Sequence, residues 1–301
     1  MGMITENNAG TLASTAIETA AQRAPHSLPD EPLFTIQPSK SWAAINLRIV
    51  WAYRELLYFL TWRDVKVRYK QTALGVAWVV MQPLLTTLVF AVFLGRVVQV
   101  PSEGVPYPLF VFAAMLPWIF FSGAVTSSSN SLVGNAHLIT KIYFPRVLIP
   151  LSAVAARTLD FAVSFIVLIA LMAYYGVAPT WGLLLLPLFV ALVALLALGV
   201  GMAASALNVS YRDVGVIMPL LLQLWMFASP VVYPVSLLPV GWRRLYSLNP
   251  LVGIIEGFRS SLFGRAFDWT AIAISAAFTA ALLIYAAFSF RRMEARFADI
   301  V

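Results

Sequence analysis

Residues 182–208, GLLLLPLFVALVALLALGVGMAASALN, contain no charged side chain. A helix needs about 20 consecutive apolar residues to cross the hydrocarbon core of a bilayer, and this segment exceeds that length. It also lacks the strict alternation of polar and apolar residues that is typical of membrane β-strands. The segment therefore predicts a transmembrane α-helix, and the fold class that follows is an all-α integral membrane protein.

Five further segments have the same character. Of these, only 148–175 contains charged residues, Arg157 and Asp160. The 301-residue chain is 61% hydrophobic and 11% charged, whereas soluble domains are about 45–50% apolar and about 25% charged. This composition excludes a water-soluble enzyme and a disordered chain. We predict a six-span domain over residues 71–290, with the other spans at 74–95, 108–129, 148–175, 214–232 and 269–290.

Six spans place both termini on one side of the membrane. Most of the 20 Lys and Arg residues lie on the side that holds the termini, and an excess of positive charge marks the cytoplasmic side of membrane proteins. Both termini are therefore predicted to be cytoplasmic. Residues 1–41 are predicted to be a disordered tail, residues 42–70 an amphipathic interface helix with a basic linker, and residues 291–301 a short C-terminal tail.

Cysteine and histidine, which many catalytic and metal sites use, are scarce in this chain. It has no cysteine and two histidines, too few for a typical zinc site. No phosphate-binding loop of the form G-x-x-x-x-G-K-[ST] occurs, so ATP cannot be bound in that way. We therefore expect no catalytic residue, no metal site and no cofactor in this chain. A lipid-modifying membrane enzyme is disfavoured, because the sequence shows no cluster of carboxylates or histidines at the predicted membrane surface.

Two connections predicted on the cytoplasmic side could be contact surfaces. The connection 130–147 is unusually apolar, with Leu138, Ile139 and Phe144 near its centre. Apolar residues in such a position need to be covered, either by folding back on the bundle or by docking into a partner protein. The second candidate contact is the short segment 210–214.

The charged residues near and inside the membrane have two interpretations each. Residues 63–70 are strongly basic and could anchor the chain on anionic lipid or contact a substrate that carries phosphate. Arg157 and Asp160 are three residues apart in a predicted span, where charges are costly. They could form a structural pair or contact the substrate.

The connection between spans five and six is long and apolar. Its two apolar pieces are too short to cross a bilayer, so we predict re-entrant helices on the outer side. Glu256 and Arg259 are three residues apart and could neutralise each other. Gly253 and Gly257 would allow a close approach between helices.

Four segments of this sequence form a recognisable set of motifs. They are Arg63-Asp64…Arg68-Tyr69…Leu74-Gly75…Trp78…Gln82-Pro83-Leu84, Leu138-Ile139…Lys141…Phe144-Pro145…Pro150, Tyr211-Arg212-Asp213, and Asn249-Pro250-Leu251…Ile255-Glu256…Phe258-Arg259…Gly264. In this order along the chain they resemble the polysaccharide-exporting ABC-2 type transporter permeases, and the resemblance covers roughly residues 42–290. Subgroups of that family export O-antigen or lipopolysaccharide, teichoic acid and capsule, and the resemblance is to the O-antigen exporters above all.

The resemblance implies a permease in the bacterial inner membrane rather than an enzyme. It implies a homodimer that works with two copies of a separate ATP-binding subunit, which would hold ATP and Mg²⁺. The implied substrate is a glycan linked to undecaprenyl diphosphate. An ABC-2 exporter of a small lipid or drug is the alternative.

The resemblance also suggests roles for particular residues. Leu138, Ile139, Lys141, Phe144, Arg212 and Asp213 would couple the permease to its partner. Arg63, Arg68 and Lys70 would bind the diphosphate, and Asn249, Pro250, Glu256 and Arg259 would belong to an outer gate. Because sugars offer apolar CH faces to aromatic rings, the channel lining is predicted to include Phe90, Trp118, Phe121, Trp225, Phe227 and Tyr233.

Overall fold

The computed structural model describes residues 47–70, 75, 77–142 and 144–300. The predicted tail 1–41 lies outside the described residues. Within these ranges all regular structure is helical, which confirms the predicted fold class. Five helices are long and apolar enough to cross a membrane.

The N-terminal helices extend further than the sequence indicated. Helix α1 spans Leu47–Ala52 and helix α2 spans Arg54–Lys70. The basic segment 63–70, predicted to be a linker, is thus the second half of α2. The segment contains neither glycine nor proline, so nothing in it ends the helix earlier.

The first two long helices differ greatly in burial. Helix α3 spans Ala77–Phe90 and continues as a π-helical segment, Ala91–Val97. Helix α4 spans Tyr107–Ser129 and is buried over most of its length. Because α4 is surrounded by other helices, it forms the centre of the bundle, whereas α3 lies at its periphery.

Two short helices and two long ones follow. The connection after α4 forms helices α5, Ser131–Gly134, and α6, Ala136–Lys141. Helix α7 spans Leu148–Tyr174. A 3₁₀ turn, Trp181–Leu185, leads into helix α8, Leu186–Ser210. Helices α7 and α8 both pack on α4, which encloses the central helix.

The fifth predicted span is shorter than expected. Helix α9 spans Asp213–Phe227, whereas the sequence suggested 214–232. At 1.5 Å per residue this helix is about 22 Å long, less than the hydrocarbon core of about 30 Å. It ends at Phe227, three residues before Pro230. Six spans therefore remain a prediction.

The last part of the chain forms three helices. Helix α10 spans Val240–Tyr246, α11 spans Pro250–Phe263 and α12 spans Trp269–Ile300. Helix α12 continues well past residue 290, so the predicted C-terminal tail is helical up to Ile300. Helix α11 packs against α12, α8 and α4.

The two glycines of α11 lie at its closest contacts. A Cβ atom at Gly253 would overlap the carbonyl oxygen of Ala271, and one at Gly257 would overlap the ring of Phe189. The close helix approach predicted from these glycines is thereby confirmed. Helix α11 begins at Asn249, whose side chain accepts a hydrogen bond from the amide of Leu251, and it ends at Gly264 with φ 66°, a conformation that favours glycine.

Candidate functional site

Asp160 is the centre of a polar cluster inside an otherwise apolar bundle. Its carboxylate accepts hydrogen bonds from Arg68 Nη1 at 2.7 Å and from Arg157 Nη1 at 3.3 Å. The Tyr69 hydroxyl donates to its other oxygen. We call Arg68, Tyr69, Arg157 and Asp160 the Asp160 cluster. The predicted pair of Arg157 and Asp160 exists, but its shorter contact is with Arg68, on a different helix.

Helix α2 brings Arg68 and Tyr69 to this cluster because it packs along α7. Leu60 is buried among apolar residues, and the Ser152 hydroxyl donates to Asp64 Oδ2 at 3.4 Å. Arg157 is held in turn by the Ser127 hydroxyl of α4, at 3.0 Å from Nε and 2.8 Å from Nη2. Helices α2, α4 and α7 thus meet at the Asp160 cluster.

A cavity of about 180 Å³ borders the cluster. Its walls combine the charged groups with aromatic side chains and one amide. Trp78, at the start of α3, is 51% exposed, so the cavity reaches the outer surface of the bundle. The lining residues from α3, α4 and α7 include Trp78, Gln82, Ile119, Phe120, Phe161 and Ser164.

The charges of the cluster do not cancel. Two guanidinium groups face one carboxylate, and Tyr69 is neutral because burial and its hydrogen bond to Asp160 raise the pKa of its hydroxyl. A charge inside a membrane protein is stable when it is paired or when it faces a polar cavity. The excess positive charge therefore makes this cavity favourable for an anion.

The three residues predicted to bind a diphosphate are divided between two cavities. The Arg63 side chain is bound to Asp64 and to Asn135, at 2.7 Å each. Arg63 and Lys70 both border a cavity of about 350 Å³ that is separate from the one at Asp160. Of the three, only Arg68 belongs to the Asp160 cluster. The sequence did not indicate that Arg157 would join it, because 89 positions separate them along the chain.

The predicted coupling residues are divided between the interior and the surface. Ile139 and Phe144 are 5% and 7% exposed and pack in a cluster that includes Leu60 and Leu132. These two residues thus fold back on the bundle, which is one of the two outcomes that the sequence left open. Leu138 is half-buried, while Lys141, Arg212 and Asp213 are exposed. Ile142, which was not among the predicted coupling residues, is exposed beside Lys141.

Asn208, near the end of α8, links the start of the connection 130–147 to the start of α9. Its side-chain amide donates to the Ser129 carbonyl at 3.0 Å and to Asn130 Oδ1 at 3.2 Å. Its amide oxygen accepts from the backbone N–H of Gly215 at 3.0 Å. The ends of α4 and α8 and the start of α9 are therefore linked at one point.

The predicted outer pair, Glu256 and Arg259, also forms. Arg259 Nη1 lies 3.0 Å from Glu256 Oε1, and Nη2 donates to the Val231 carbonyl at 2.7 Å. The guanidinium lies 3.6 Å from the ring centre of Phe110 on α4. Arg259 is fully buried, so it attaches α11 to the centre of the bundle.

The aromatic residues predicted to line a channel differ in their burial, from fully buried to exposed. Trp118 and Phe121 are buried in the core at 4% and 0% exposure, and within one chain they line no open surface. Phe90 is half-buried and Phe227 is 53% exposed. The Tyr233 hydroxyl is 2.9 Å from that of Tyr246.

Trp225, the sixth of these aromatics, borders a cavity of about 490 Å³. The same cavity is lined by Trp242, Tyr246, Asn249 and Pro250. Asn249 accepts a hydrogen bond from the Trp225 indole at 3.0 Å and donates to the Ala228 carbonyl at 2.8 Å. Two of the predicted outer-gate residues, Asn249 and Pro250, thus lie beside the end of α9.

Comparisons with known proteins place this architecture among transporters. The family described as ABC-2 type transporter matches residues 55–263. The O-antigen export system permease protein RfbA of Myxococcus xanthus is 30% identical over 259 residues, which covers 85% of this chain and 98% of the relative. The protein of the same name from Klebsiella pneumoniae is 31% identical, over 82% of this chain and 95% of the relative. The polysialic acid transport protein KpsM of Escherichia coli is 23% identical, over 66% of this chain and 78% of the relative.

Proposed function

The chain belongs to the ABC-2 type transporter family, and from that premise we propose that it is the membrane-spanning permease of a polysaccharide exporter. The observation that carries the proposal is the similarity to O-antigen export permeases, which extends over 98% of the Myxococcus relative. The similarity is thus not restricted to one helix pair or one motif. The apolar helices that cross the bundle give the chain the multi-pass membrane architecture that a permease requires.

The permease acts with a separate ATP-binding subunit that carries ATP and Mg²⁺. No phosphate-binding loop occurs in this sequence, so the energy for export has to come from a partner. The docking surface is the exposed part of the two neighbouring connections: Lys141, Ile142, Arg212 and Asp213. Asn208 hydrogen-bonds the end of α4 and the start of α9, next to these connections. A movement of the docking surface would therefore be transmitted to α4, at the centre of the bundle.

The permease is a homodimer, and the two copies meet through α9. This helix has an apolar exposed side, with Val216 79%, Leu220 57% and Leu224 59% exposed. A helix too short to span the membrane by itself is better covered by protein than by lipid. Native mass spectrometry of the purified chain is expected to give twice 33.1 kDa, and a mass of one chain would contradict the dimer.

The substrate is a glycan carried on undecaprenyl diphosphate, and export is outward across the bacterial inner membrane. Both termini are then cytoplasmic, since most of the basic residues lie on their side of the membrane. The cavity beside Trp225, Trp242 and Tyr246 offers aromatic faces on which sugar rings can stack. Helices α10 and α11 close the outer side of the path.

The test is deletion of the gene in its host, followed by measurement of glycan on both sides of the inner membrane. Loss of surface glycan with accumulation of lipid-linked polymer inside the cell is expected. Restoration by the wild-type chain is the control for effects on neighbouring genes. Normal surface glycan in a host without a second exporter would contradict the proposal and would favour the alternative, an ABC-2 exporter of a small lipid or drug.

A further inference from the structure

We propose that the cavity beside the Asp160 cluster binds a phosphate group of a lipid, between the guanidinium groups of Arg68 and Arg157. The inference rests on the proposed function only for the identity of that lipid. It differs from the sequence-based prediction in two respects: Arg63 and Lys70 do not take part, and Arg157 of the third predicted span does.

The geometry of the cluster is that of an anion site. Arg68, Tyr69 and Arg157 all donate to the carboxylate of Asp160. Guanidinium groups form strong charge-assisted hydrogen bonds with carboxylates and with phosphates alike. Asp160 therefore occupies a place that suits a phosphate oxygen, and a ligand entering the cavity would compete with it for Arg68.

The donors of Arg68 are not fully used by Asp160. Its Nη1 makes the 2.7 Å contact, and among the described residues its Nε and Nη2 make no hydrogen bond. Arg157 is 29% exposed at the side chain and borders the cavity. Gln82, which also lines the cavity, has an amide that can donate a further hydrogen bond.

The depth of the cluster matches that of lipid phosphates. Arg157 is bonded to Ser127, which lies two residues before the end of α4. Helix α4 has 23 residues and is about 34 Å long, close to the thickness of one hydrocarbon core. Ser127 and its partners therefore lie near the edge of that core, where headgroups begin.

The cavity can be reached from the side. Trp78 at its rim is 51% exposed, and Val67 on α2 is 65% exposed. A lipid can thus place its phosphate between α2 and α3 while its tail stays in the bilayer. Aromatic rim residues suit this position, because Trp side chains favour the membrane–water interface.

The experiment measures binding of undecaprenyl diphosphate to the purified full-length chain in detergent by native mass spectrometry. Undecaprenol, which has the same tail and no phosphate, is the ligand control. Arg68→Gln and Arg157→Gln are each expected to lower the affinity about tenfold or more, the usual effect of losing one charge-assisted hydrogen bond. Lys70→Gln is the matched control on the same helix, and less than a twofold change is expected.

A loss of affinity could also come from misfolding, so a third variant is included. Asp160→Asn removes the competing carboxylate charge and is expected to bind undecaprenyl diphosphate several-fold more tightly than the wild type. The lipid should also raise the melting temperature of this variant more than that of the wild type. A misfolded protein would show neither gain.

The remaining outcomes separate the sources of the phosphate. Equal binding of phosphatidic acid supports the site as one for lipid phosphates in general, and competition by inorganic phosphate supports recognition of the phosphate group itself. Equal binding of undecaprenol, or an equal loss in Lys70→Gln and Arg157→Gln, would overturn the proposal. Because this assay needs neither ATP nor the partner, it can succeed even if the gene deletion contradicts polysaccharide export.

Discussion

Arg259 shows how a single residue can hold a membrane-buried helix in place. Its guanidinium is paired with Glu256, stacks on Phe110 and donates to the Val231 carbonyl. These contacts come from three different parts of the chain. Burying a charge is costly unless partners of this kind compensate for it, so the removal of Arg259 should cost more than the loss of one ion pair.

Arg259→Ala is therefore expected to lower the free energy of unfolding by about 3–5 kcal/mol, the range found when one member of a buried pair is removed. Thermal unfolding of the purified chain in detergent measures the effect. Arg244→Ala removes an exposed arginine from the neighbouring helix α10 and should change the stability by less than about 0.5 kcal/mol. Equal melting temperatures for the two variants would contradict this account of Arg259.

Tyr246 and Tyr233 form a second residue-scale contact on the outer side. Their hydroxyl groups are hydrogen-bonded to each other, and burial together with this bond raises the pKa of Tyr246. The Tyr246 hydroxyl is thus neutral at physiological pH. This contact adds no charge to the wall of the cavity next to Trp225, which keeps that cavity suited to uncharged sugar rings.

At the scale of elements, the packing of α11 depends on two glycines. Gly253→Ala is expected to destabilise the protein by about 1–3 kcal/mol, because the added methyl group has no space between α11 and α12. Gly241→Ala is the matched control, since a Cβ atom at that position on α10 meets nothing within 4 Å. Comparable melting temperatures for the two alanine variants would show that α11 is packed less closely than described.

Ile139 on helix α6 faces the bundle, whereas Ile142, directly after the end of that helix, is exposed. Substitutions at the two positions are therefore expected to have different effects. Ile142→Asp, at an exposed position, should leave the fold intact and reduce stimulation of the partner's ATPase by the permease at least several-fold. Ile139→Asp places a charge in the apolar cluster with Leu60 and should lower stability by several kcal/mol. The two variants are distinguished by measuring the ATPase activity of the reconstituted complex, which Ile142→Asp should reduce, and the melting temperature, which Ile139→Asp should lower.

An Ile142→Asp complex with normal ATPase stimulation would place the docking surface elsewhere. Arg212 and Asp213, the exposed residues of the second connection, would then be the next positions to substitute. Ile142→Val, which keeps an apolar side chain, is the control and is expected to retain coupling.

At the scale of the whole molecule, the absence of cysteine allows a direct test of orientation. Single-cysteine variants are labelled in intact cells, after permeabilising the outer membrane, with a maleimide that cannot cross the inner membrane. Gly241→Cys and Ser102→Cys are expected to react, and His137→Cys and Tyr211→Cys to react only after the inner membrane is opened. The reverse pattern would place the termini outside.

The sequence alone determined the fold class and most of the spans. Apolar length is a local property, because each helix satisfies its own backbone hydrogen bonds inside the membrane. The ends of α4 and α7, the Arg157–Asp160 pair, the Glu256–Arg259 pair and the close packing at Gly253 all follow from local spacing. The family too was indicated by short motifs in their order along the chain.

Only the tertiary structure decided which of these residues meet. Arg68 and Asp160 are far apart in sequence, and their contact depends on how α2 packs along α7. For the same reason the sequence could not separate Ile139, which faces the core, from Ile142, which is exposed. Local patterns fix which segments are helical, but the faces that helices present to one another depend on the packing of the whole bundle, and that packing forms the candidate site.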